Sequence, residues 1–338
     1  MVTIREVAEE AKVSVVTVSR VLNHPDMVSE KKRECVMDAI KKLGYFPNDA
    51  ARSLVQEKTN VIGVLIPDIN NIYIASVIPR LSASLEKFGY SILLCVTNSD
   101  SVKEGRLIRL MMEKRVDGMI LLGARSIGPV RSDLEMAAKR IPVIVLDYTS
   151  DCNMYCVRTD EALGIYKAVK YLVGLGHRRI AFINGMGNYT TNHYKQAGFE
   201  QAAERFGIDA RPEYILACEP YYEGGVYGAN ILLDMPEPPT AILTASDQLA
   251  MGVYFAAGSK GLRIPRDVSV MGFSDSQIAP FLYPPLTTVS QFGEESSEKA
   301  AKLMADILAG HEIEDRNIIL EPEVVVRKSC TGISQEEE

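Results

Sequence analysis

The sequence has no apolar run long enough to cross a membrane. Its longest runs, such as Val61 to Pro67 and Gly118 to Gly123, fall far short of the roughly 20 residues that a spanning helix needs, so no membrane partner is expected. The N-terminus, Met1-Val-Thr-Ile-Arg-Glu-Val-Ala-Glu-Glu, carries acidic residues where a signal peptide has its apolar stretch, which makes the cytoplasm the expected compartment. Cysteine is sparse. Cys35, Cys95, Cys152, Cys156, Cys218 and Cys330 form no CxxC pair and have no His-rich neighbour, so they read as reduced packing thiols rather than disulfides or zinc ligands. The histidines His24, His177, His193 and His311 are isolated, and no metal is expected. Gly185-Met-Gly187 follows a predicted strand but lacks the third glycine of GxGxxG, and no Walker lysine appears. No nucleophile and base pair can be nominated either, so neither an enzyme nor a cofactor is expected.

The chain has 338 residues, 47% of them hydrophobic and 24% charged, with 16 prolines and 24 glycines. That is a globular composition with more length than one ordinary domain uses. The net charge is −7, unevenly placed: residues 1–58 sum to +1 and the remainder to −8. Polyanion binding would therefore depend on where individual cations sit, not on bulk charge.

The pattern changes near residue 60, at the polar stretch 55–60. Before it lie short helices. Thr3 can cap a helix through Ala11 with Ile4, Val7, Ala8 and Ala11 on one face. Ser14 can cap a second helix, with Val18, Val21 and Leu22 as its buried stripe, after only Lys12 and Val13. A third helix follows Ser29, carries Val36, Ile40 and Leu43, and stops at Gly44, which suits a left-handed C-cap. Two short helices joined by a tight turn and braced by a third fit a helix-turn-helix DNA reader, and equally a generic three-helix bundle. The polar set weighs toward the reader: Ser14, Thr17, Ser19 and Arg20 point outward and Asn23 lies just beyond the second helix. Hydroxyls can bond phosphates, and an arginine can meet guanine in a bidentate way.

Thr3-Ile-Arg-Glu-Val-Ala, Val13-Ser-Val-Val-Thr-Val-Ser-Arg-Val-Leu-Asn and Leu43-Gly-Tyr-Phe-Pro-Asn-Asp-Ala-Ala-Arg-Ser-Leu together resemble the headpiece of the lactose/galactose-repressor (LacI/GalR) family. The resemblance continues through Ile62-Gly-Val-Leu-Ile-Pro-Asp, Gly176-His-Arg-Arg-Ile-Ala-Phe-Ile, Ala245-Ser-Asp-Gln-Leu-Ala-Met-Gly and Pro284-Pro-Leu-Thr-Thr-Val. It implies that Val15, Val16 and Arg20 face base edges, the valines through apolar contact and Arg20 through hydrogen bonds; Val15 fits the core stripe as well. Thr3, Ser14, Thr17, Ser19, Asn23 and Tyr45 become backbone contacts that set register, though ordinary surface caps would look the same. Residues 47–54 resemble the family's hinge helix, which pairs with its dimer mate in the minor groove. Asn48 and Ala51 lie on it, and Leu54 matches the leucine that wedges between base pairs, although a linker leucine can also pack on a core. Two residues depart from the pattern: Lys12 stands where a turn glycine is usual, and Asp49 puts a negative charge beside DNA, near Arg52.

From Val61 onward predicted strands and helices alternate. Strands fall at Val61 to Pro67, Ser91 to Cys95, Gly118 to Leu122 and Val143 to Asp147, with helices at Ala75 to Phe88 and Val102 to Lys114. A second series begins near Gly164 and has strands at Arg179 to Ile183, Ala241 to Thr244 and Val268 to Gly272. Strands separated by helices imply parallel sheets, and two series imply two α/β lobes with a ligand cleft beyond the strand ends. The resemblance gives these lobes the type I periplasmic-binding-protein fold. The expected organisation is a headpiece over 1–46, a hinge over 47–60, and an effector-binding and dimerisation domain over 61–330. Its first lobe takes about 61–160 plus 292–320, its second about 161–291 plus 321–330, and an acidic tail occupies 331–338. That tail is too short for a tetramerising coiled coil, so a homodimer is expected.

Candidate effector contacts are Asp68, Tyr73, Arg125, Asp147, Lys195, Tyr221, Asp247 and Gln291. Carboxylates after strands can accept sugar hydroxyls, and a strand-end Asp can equally cap a helix; Asp247 matches the family's effector-binding aspartate. Lys195 replaces a usual arginine fork by a point charge. With Arg125 or Arg158 it would suit an anionic effector, whereas surface arginines are commonly just solvated. Tyr221 or Tyr222 supplies an aromatic wall. His177 reads as a helix end beside the C-terminal dipole. The expected function is a ligand-responsive repressor that binds a near-palindromic double-stranded operator and is controlled by a sugar-like effector. A purine-type corepressor is the alternative. A solute-binding protein would need a signal peptide and no headpiece.

Overall fold

The computed structural model describes residues 2–45, 58–123, 130–146, 154–187 and 189–333, which fall into two compact units, Met1–Thr59 and Asn60–Glu338. The first holds α1 (Ile4–Glu10), α2 (Val15–Asn23) and α3 (Glu30–Leu43). Thr3 starts α1 through a capping box: its Oγ1 accepts from the Glu6 N–H, and its own N–H donates to the Glu6 carboxylate at 2.6 Å. Ser14 starts α2 by accepting from the Thr17 N–H at 3.2 Å. Val7, Ala8, Val18, Val21, Val36 and Ala39 form the buried centre, with Ile40, Leu43 and Tyr45 packed around it.

Two helix ends differ from the sequence reading by a residue. Helix α1 ends at Glu10, with Ala11 as its cap, and α2 runs through Asn23 to a cap at His24. Gly44 ends α3 at φ 61°, and Lys12 occupies the same left-handed region at φ 52°. A side chain there costs about 1 kcal/mol, so the tight turn is held by the packing on either side of it.

The second unit contains two parallel sheets. The larger comprises β1 (Val61–Ile66), β2 (Ser91–Val96), β3 (Gly118–Leu122), β4 (Val143–Leu146), β5 (Tyr155–Thr159) and β11 (Asn317–Leu320), in the order β11-β5-β4-β3-β1-β2. Both of its faces are covered, which is why its strands read as unbroken apolar runs. On one face Ile62, Val64, Ile66, Ile120 and Ile144 pack against α4 (Ile72–Glu86) and α11 (Gly293–Leu308). On the other, Leu65, Met119, Leu121 and Val145 pack against α5 (Ser101–Glu113) and α6 (Val130–Ala138).

The smaller sheet comprises β6 (Ile180–Gly185), β7 (Ile215–Cys218), β8 (Ala241–Thr244) and β9 (Ser269–Met271), ordered β7-β6-β8-β9. It is covered by α7 (Glu161–Gly174), α8 (Thr190–Phe206), α9 (Tyr222–Leu233) and α10 (Asp247–Ser259). Phe182 and Phe199 stack in its core with ring centres 5.1 Å apart. Helices α9 and α10 touch backbone to backbone, since a methyl on Gly225 would lie 2.0 Å from the Leu249 carbonyl oxygen.

The chain passes between the sheets three times: from β5 to α7, from β10 (Thr288–Ser290) to α11, and from β11 to β12 (Glu323–Val325). These passages bond sideways. Strand β5 pairs with β11, β10 pairs with β12, and the Thr159 hydroxyl donates to the Gln291 carbonyl at 2.9 Å. Among the described residues no helix is long and apolar enough to cross a membrane. The described cysteines Cys35, Cys95, Cys156, Cys218 and Cys330 are free thiols.

His177 lies just past the end of α7, as the sequence suggests, but its ring does not serve the helix dipole. It is buried, with Nε2 donating to the Thr331 carbonyl at 3.0 Å and Nδ1 accepting from the Thr240 hydroxyl at 2.9 Å. The ring fastens the C-terminal segment, whose Ser329 carbonyl accepts from the Val270 N–H at 2.9 Å, onto the smaller sheet. Burial lowers the His177 pKa below its ordinary value of 6.5, against the pull of the Thr331 bond. The folded state therefore favours the neutral ring. Its contribution is full above the unfolded pKa and is lost as the pH falls through the folded one. Between about pH 8 and 5, wild-type stability is expected to decline by up to about 1.4 kcal/mol per pH unit on account of this ring once the pH is below its unfolded value. A His177→Gln variant should show a flatter profile in denaturant titrations over that range.

Candidate functional site

In the first unit the apolar stripe of α2 faces inward and leaves a distinct outer face. Val18 is fully buried, whereas Val15 is 39% and Val16 59% exposed, so Val15 belongs with the outer face and not with the core stripe. Arg20 is exposed on that face. Thr17 and Ser19 are half-buried, and the Thr17 hydroxyl lies 2.9 Å from that of Ser14. Thr3 and Ser14 stand at the starts of α1 and α2, Asn23 is the last residue of α2, and Tyr45 packs against the helical core. The hinge residues Asn48, Asp49, Ala51, Arg52 and Leu54 lie outside the described residues.

In the second unit a cavity of about 210 Å³ opens at the carboxyl ends of the strands of both sheets. Since one water takes roughly 10–15 Å³ on this measure, a solute of roughly a dozen or more heavy atoms fits. Asp68, Tyr73, Lys195, Tyr221, Asp247 and Gln291 all line it; Arg125 and Asp147 lie outside the described residues. Arg158 lines it as well, and Tyr222 is a half-exposed neighbour outside it, which decides which of the two tyrosines forms the wall.

Asp247 is 1% exposed at the first turn of α10, where Ser246, not Asp247, is the cap. Its Oδ2 accepts from the Ser276 N–H at 2.6 Å and the Ser276 hydroxyl at 2.8 Å, and its Oδ1 accepts from the Thr288 hydroxyl at 2.5 Å. Burial raises its pKa, and the bonds from Thr288 and Ser276 pull it back. The carboxylate thus holds the 273–276 turn against the crossing strand β10. Ser274 and Asp275 in that turn have φ 124° and 50°, a region that L residues rarely adopt. Gly272 makes room for the carboxylate, since a methyl there would lie 2.2 Å from Oδ1.

Lys195 is 8% exposed; its Nζ donates to the Ala245 carbonyl at 3.0 Å and lies 4.3 Å from the centre of the Phe273 ring. Asp68 caps no helix, since Asn71 starts α4; instead it accepts from the Asn70 backbone and side chain at 2.9 and 3.0 Å, and from the Tyr221 phenol. That bond and burial push the Tyr221 phenol up to about 12. Gln248, Tyr189 and Ser99 also line the cleft without having been singled out. Only the place of Gln248, next to Asp247 after a strand, could have marked it. Among the described residues no group of His, Cys, Asp and Glu is arranged to hold a metal ion.

Two family models match the sequence: bacterial regulatory proteins of the lacI family over residues 3–48, and a periplasmic binding protein-like domain over 169–330. The chain is 32% identical over 332 residues to the HTH-type transcriptional repressor CytR of Escherichia coli (strain K12), covering 98% of this chain and 97% of that protein. It is 33% identical over 334 residues to the Ribose operon repressor of Haemophilus influenzae, covering 98% and 100%. The structure of the Lac repressor dimer bound to operator and the anti-inducer ONPF superposes with a TM-score of 0.88 at 27% identity, over 98% of this chain and 99% of that one.

Proposed function

The chain belongs to the lacI family of bacterial regulatory proteins, which are DNA-binding transcriptional repressors, and from that premise we propose a specific division of labour. The single observation that carries the proposal is the exposure of Val16 and Arg20 on a helix whose opposite face is the headpiece core. Val15, Val16 and Arg20 read base edges in the major groove, while Thr3, Ser14, Thr17, Ser19, Asn23 and Tyr45 hold the phosphate backbone. Asn48, Ala51 and Leu54 act in the hinge, Leu54 as a minor-groove wedge. The headpiece is 1–46, the hinge 47–60 and the regulatory domain 61–330.

The regulatory domain pairs as a dimer, so two headpieces meet two half-sites of a near-palindromic operator. An apolar surface supports a pairing face on its second lobe: Tyr227 and Ile231 on α9, Phe255 on α10, and the nearby Phe281 and Tyr283 are all exposed. The Tyr254 phenol ties that loop to α10 by donating to the Pro284 carbonyl at 2.8 Å.

The effector is a sugar or sugar derivative bound in the cleft, and its differential affinity for two lobe arrangements sets operator affinity. Hydroxyl, amide and carboxylate groups among the cleft residues support this, as does similarity to a ribose operon repressor.

The test is a binding selection from genomic fragments at fixed salt, with and without sugars, sugar acids and sugar phosphates, since affinity depends steeply on salt. Enrichment of a near-palindrome whose recovery changes with one of these solutes is expected. Enrichment of no sequence under any condition overturns the proposal.

A further inference from the structure

We propose that Asp68 and Tyr221, together with Gln248, form a latch across the cleft that sets how often the two lobes part and so governs effector entry. This rests on reading the cleft as the effector site and adds a regulation of it.

Asp68 follows β1 in the first lobe, and Tyr221 precedes α9 in the second, 153 positions along the chain. The Asp68 carboxylate is aimed before it meets its partner. Oδ1 accepts from the Asn70 N–H at 2.9 Å and from the Asn70 amide at 3.0 Å, which leaves Oδ2 facing the Tyr221 phenol that donates to it. A bond to an ionised acceptor is the strong kind. The raised Tyr221 pKa reflects that bond, because a phenol that donates to a carboxylate gives up its proton with difficulty.

A second grip acts on the same turn. The Ile72 N–H donates to Gln248 Oε1 at 3.4 Å, and Gln248 Nε2 donates to the Asn70 carbonyl at 3.5 Å. Both are long and individually weak, so Gln248 steadies the turn while Asp68 and Tyr221 bear the closure. Farther along the cleft the Tyr189 phenol donates to the Ser99 hydroxyl, again from second lobe to first.

Every side chain in these contacts, apart from that of Asn70, belongs to a residue lining the cavity. A ligand hydroxyl that reaches Asp68 Oδ2 or the Tyr221 oxygen therefore competes with the latch for the same atoms. Closure and recognition draw on one set of groups.

The test is hydrogen–deuterium exchange on the full-length protein, comparing wild type with Tyr221→Phe, Asp68→Asn and Gln248→Ala. Tyr221→Phe keeps the ring, and Asp68→Asn keeps an acceptor for the Asn70 turn, so both leave the lobe cores packed. Because each lobe moves as a packed body, opening should be felt at segments the substitutions do not touch. Tyr221→Phe and Asp68→Asn are expected to speed exchange roughly tenfold at 68–74 and 220–226, and also at 97–101 and 189–192, where Ser99 and Tyr189 meet. Strands β1 and β8 should be unchanged, and Gln248→Ala should give a smaller effect of the same pattern.

Exchange that is unchanged, or faster only beside the substituted residue, overturns the latch. The tube contains neither DNA nor effector, so that failure leaves the effector reading standing. An operator affinity indifferent to every solute would fail the effector reading while leaving the exchange result in place.

Discussion

Replacing Asp247 by alanine is expected to lower the melting temperature of the regulatory domain by about 10 °C. Three donors converge on this carboxylate, the Ser276 N–H, the Ser276 hydroxyl and the Thr288 hydroxyl, inside a site that is 1% exposed. The two hydroxyls can turn toward other acceptors, but the backbone N–H cannot, and a buried donor left without an acceptor costs about 1–3 kcal/mol. The lost bonds from the two hydroxyls and the void left in a closed site add to this. A total of about 3–4 kcal/mol corresponds to about 10 °C for a domain of this size. Asp247→Asn, which keeps an acceptor of the same shape, should lose about half as much. A melting temperature within about 2 °C of wild type for the alanine variant, against the 2–4 °C that each kcal/mol is worth, would show that the turn is held by other means. Scanning calorimetry of the two variants beside wild type decides it.

Arg20→Ala is expected to reduce discrimination between the preferred operator and a variant site by about 10- to 100-fold, the worth of one bidentate base contact. Binding to unrelated DNA should fall much less, because the phosphate contacts proposed for Ser14, Thr17 and the other backbone residues would remain. Headpiece stability should stay within about 0.5 kcal/mol of wild type, since Arg20 is exposed and the α2 core residues Val18 and Val21 are untouched. Arg20→Lys should not restore selectivity, because an ammonium lacks the planar fork. Competition titrations with matched and mismatched duplexes at one salt concentration measure all three. Unaltered selectivity in the alanine variant would remove Arg20 from the base-reading set.

The headpiece and both parallel sheets were legible because their elements follow simple periods. Within their helices Val7 and Ala8, Val18 and Val21, and Val36 and Ile40 fall on one face, and β1, β3, β4 and β8 are apolar runs covered on both faces. Strands β5, β7, β10, β11 and β12 were not: β7 and β11 are partly exposed edge strands, β5 carries Arg158 among its apolar residues, and the three-residue β10 and β12 have no period of their own and take their structure from each other. The helix α4 begins three residues earlier than its apolar pattern, because Asn71 caps it from a turn that the pattern does not mark.

At the cleft, position after a strand was enough to pick Asp68 and Asp247, whereas Lys195, inside α8, and Tyr221 came from the family resemblance. Neither signal could reveal what the atoms do. Asp68 and Tyr221 meet across 153 positions, and Asp247 spends both oxygens on Ser276 and Thr288. His177 shows the same limit: the end of α7 was readable, but Thr240 and Thr331, which hold its ring in the buried site, arrive from distant segments.

The three chain passages between the lobes lie side by side and are stitched laterally, by β5 against β11, β10 against β12, and Thr159 to Gln291. Mechanically this is a strap and not a ball joint. A strap folds readily about the line across its width and resists shear along it, because shear would break the lateral bonds together. The lobes are thereby left with one soft coordinate, a single angle. If the cleft takes an effector as proposed, that angle is what it has to change, so effectors of unlike shape would send the same message, distinguished by sign and size alone.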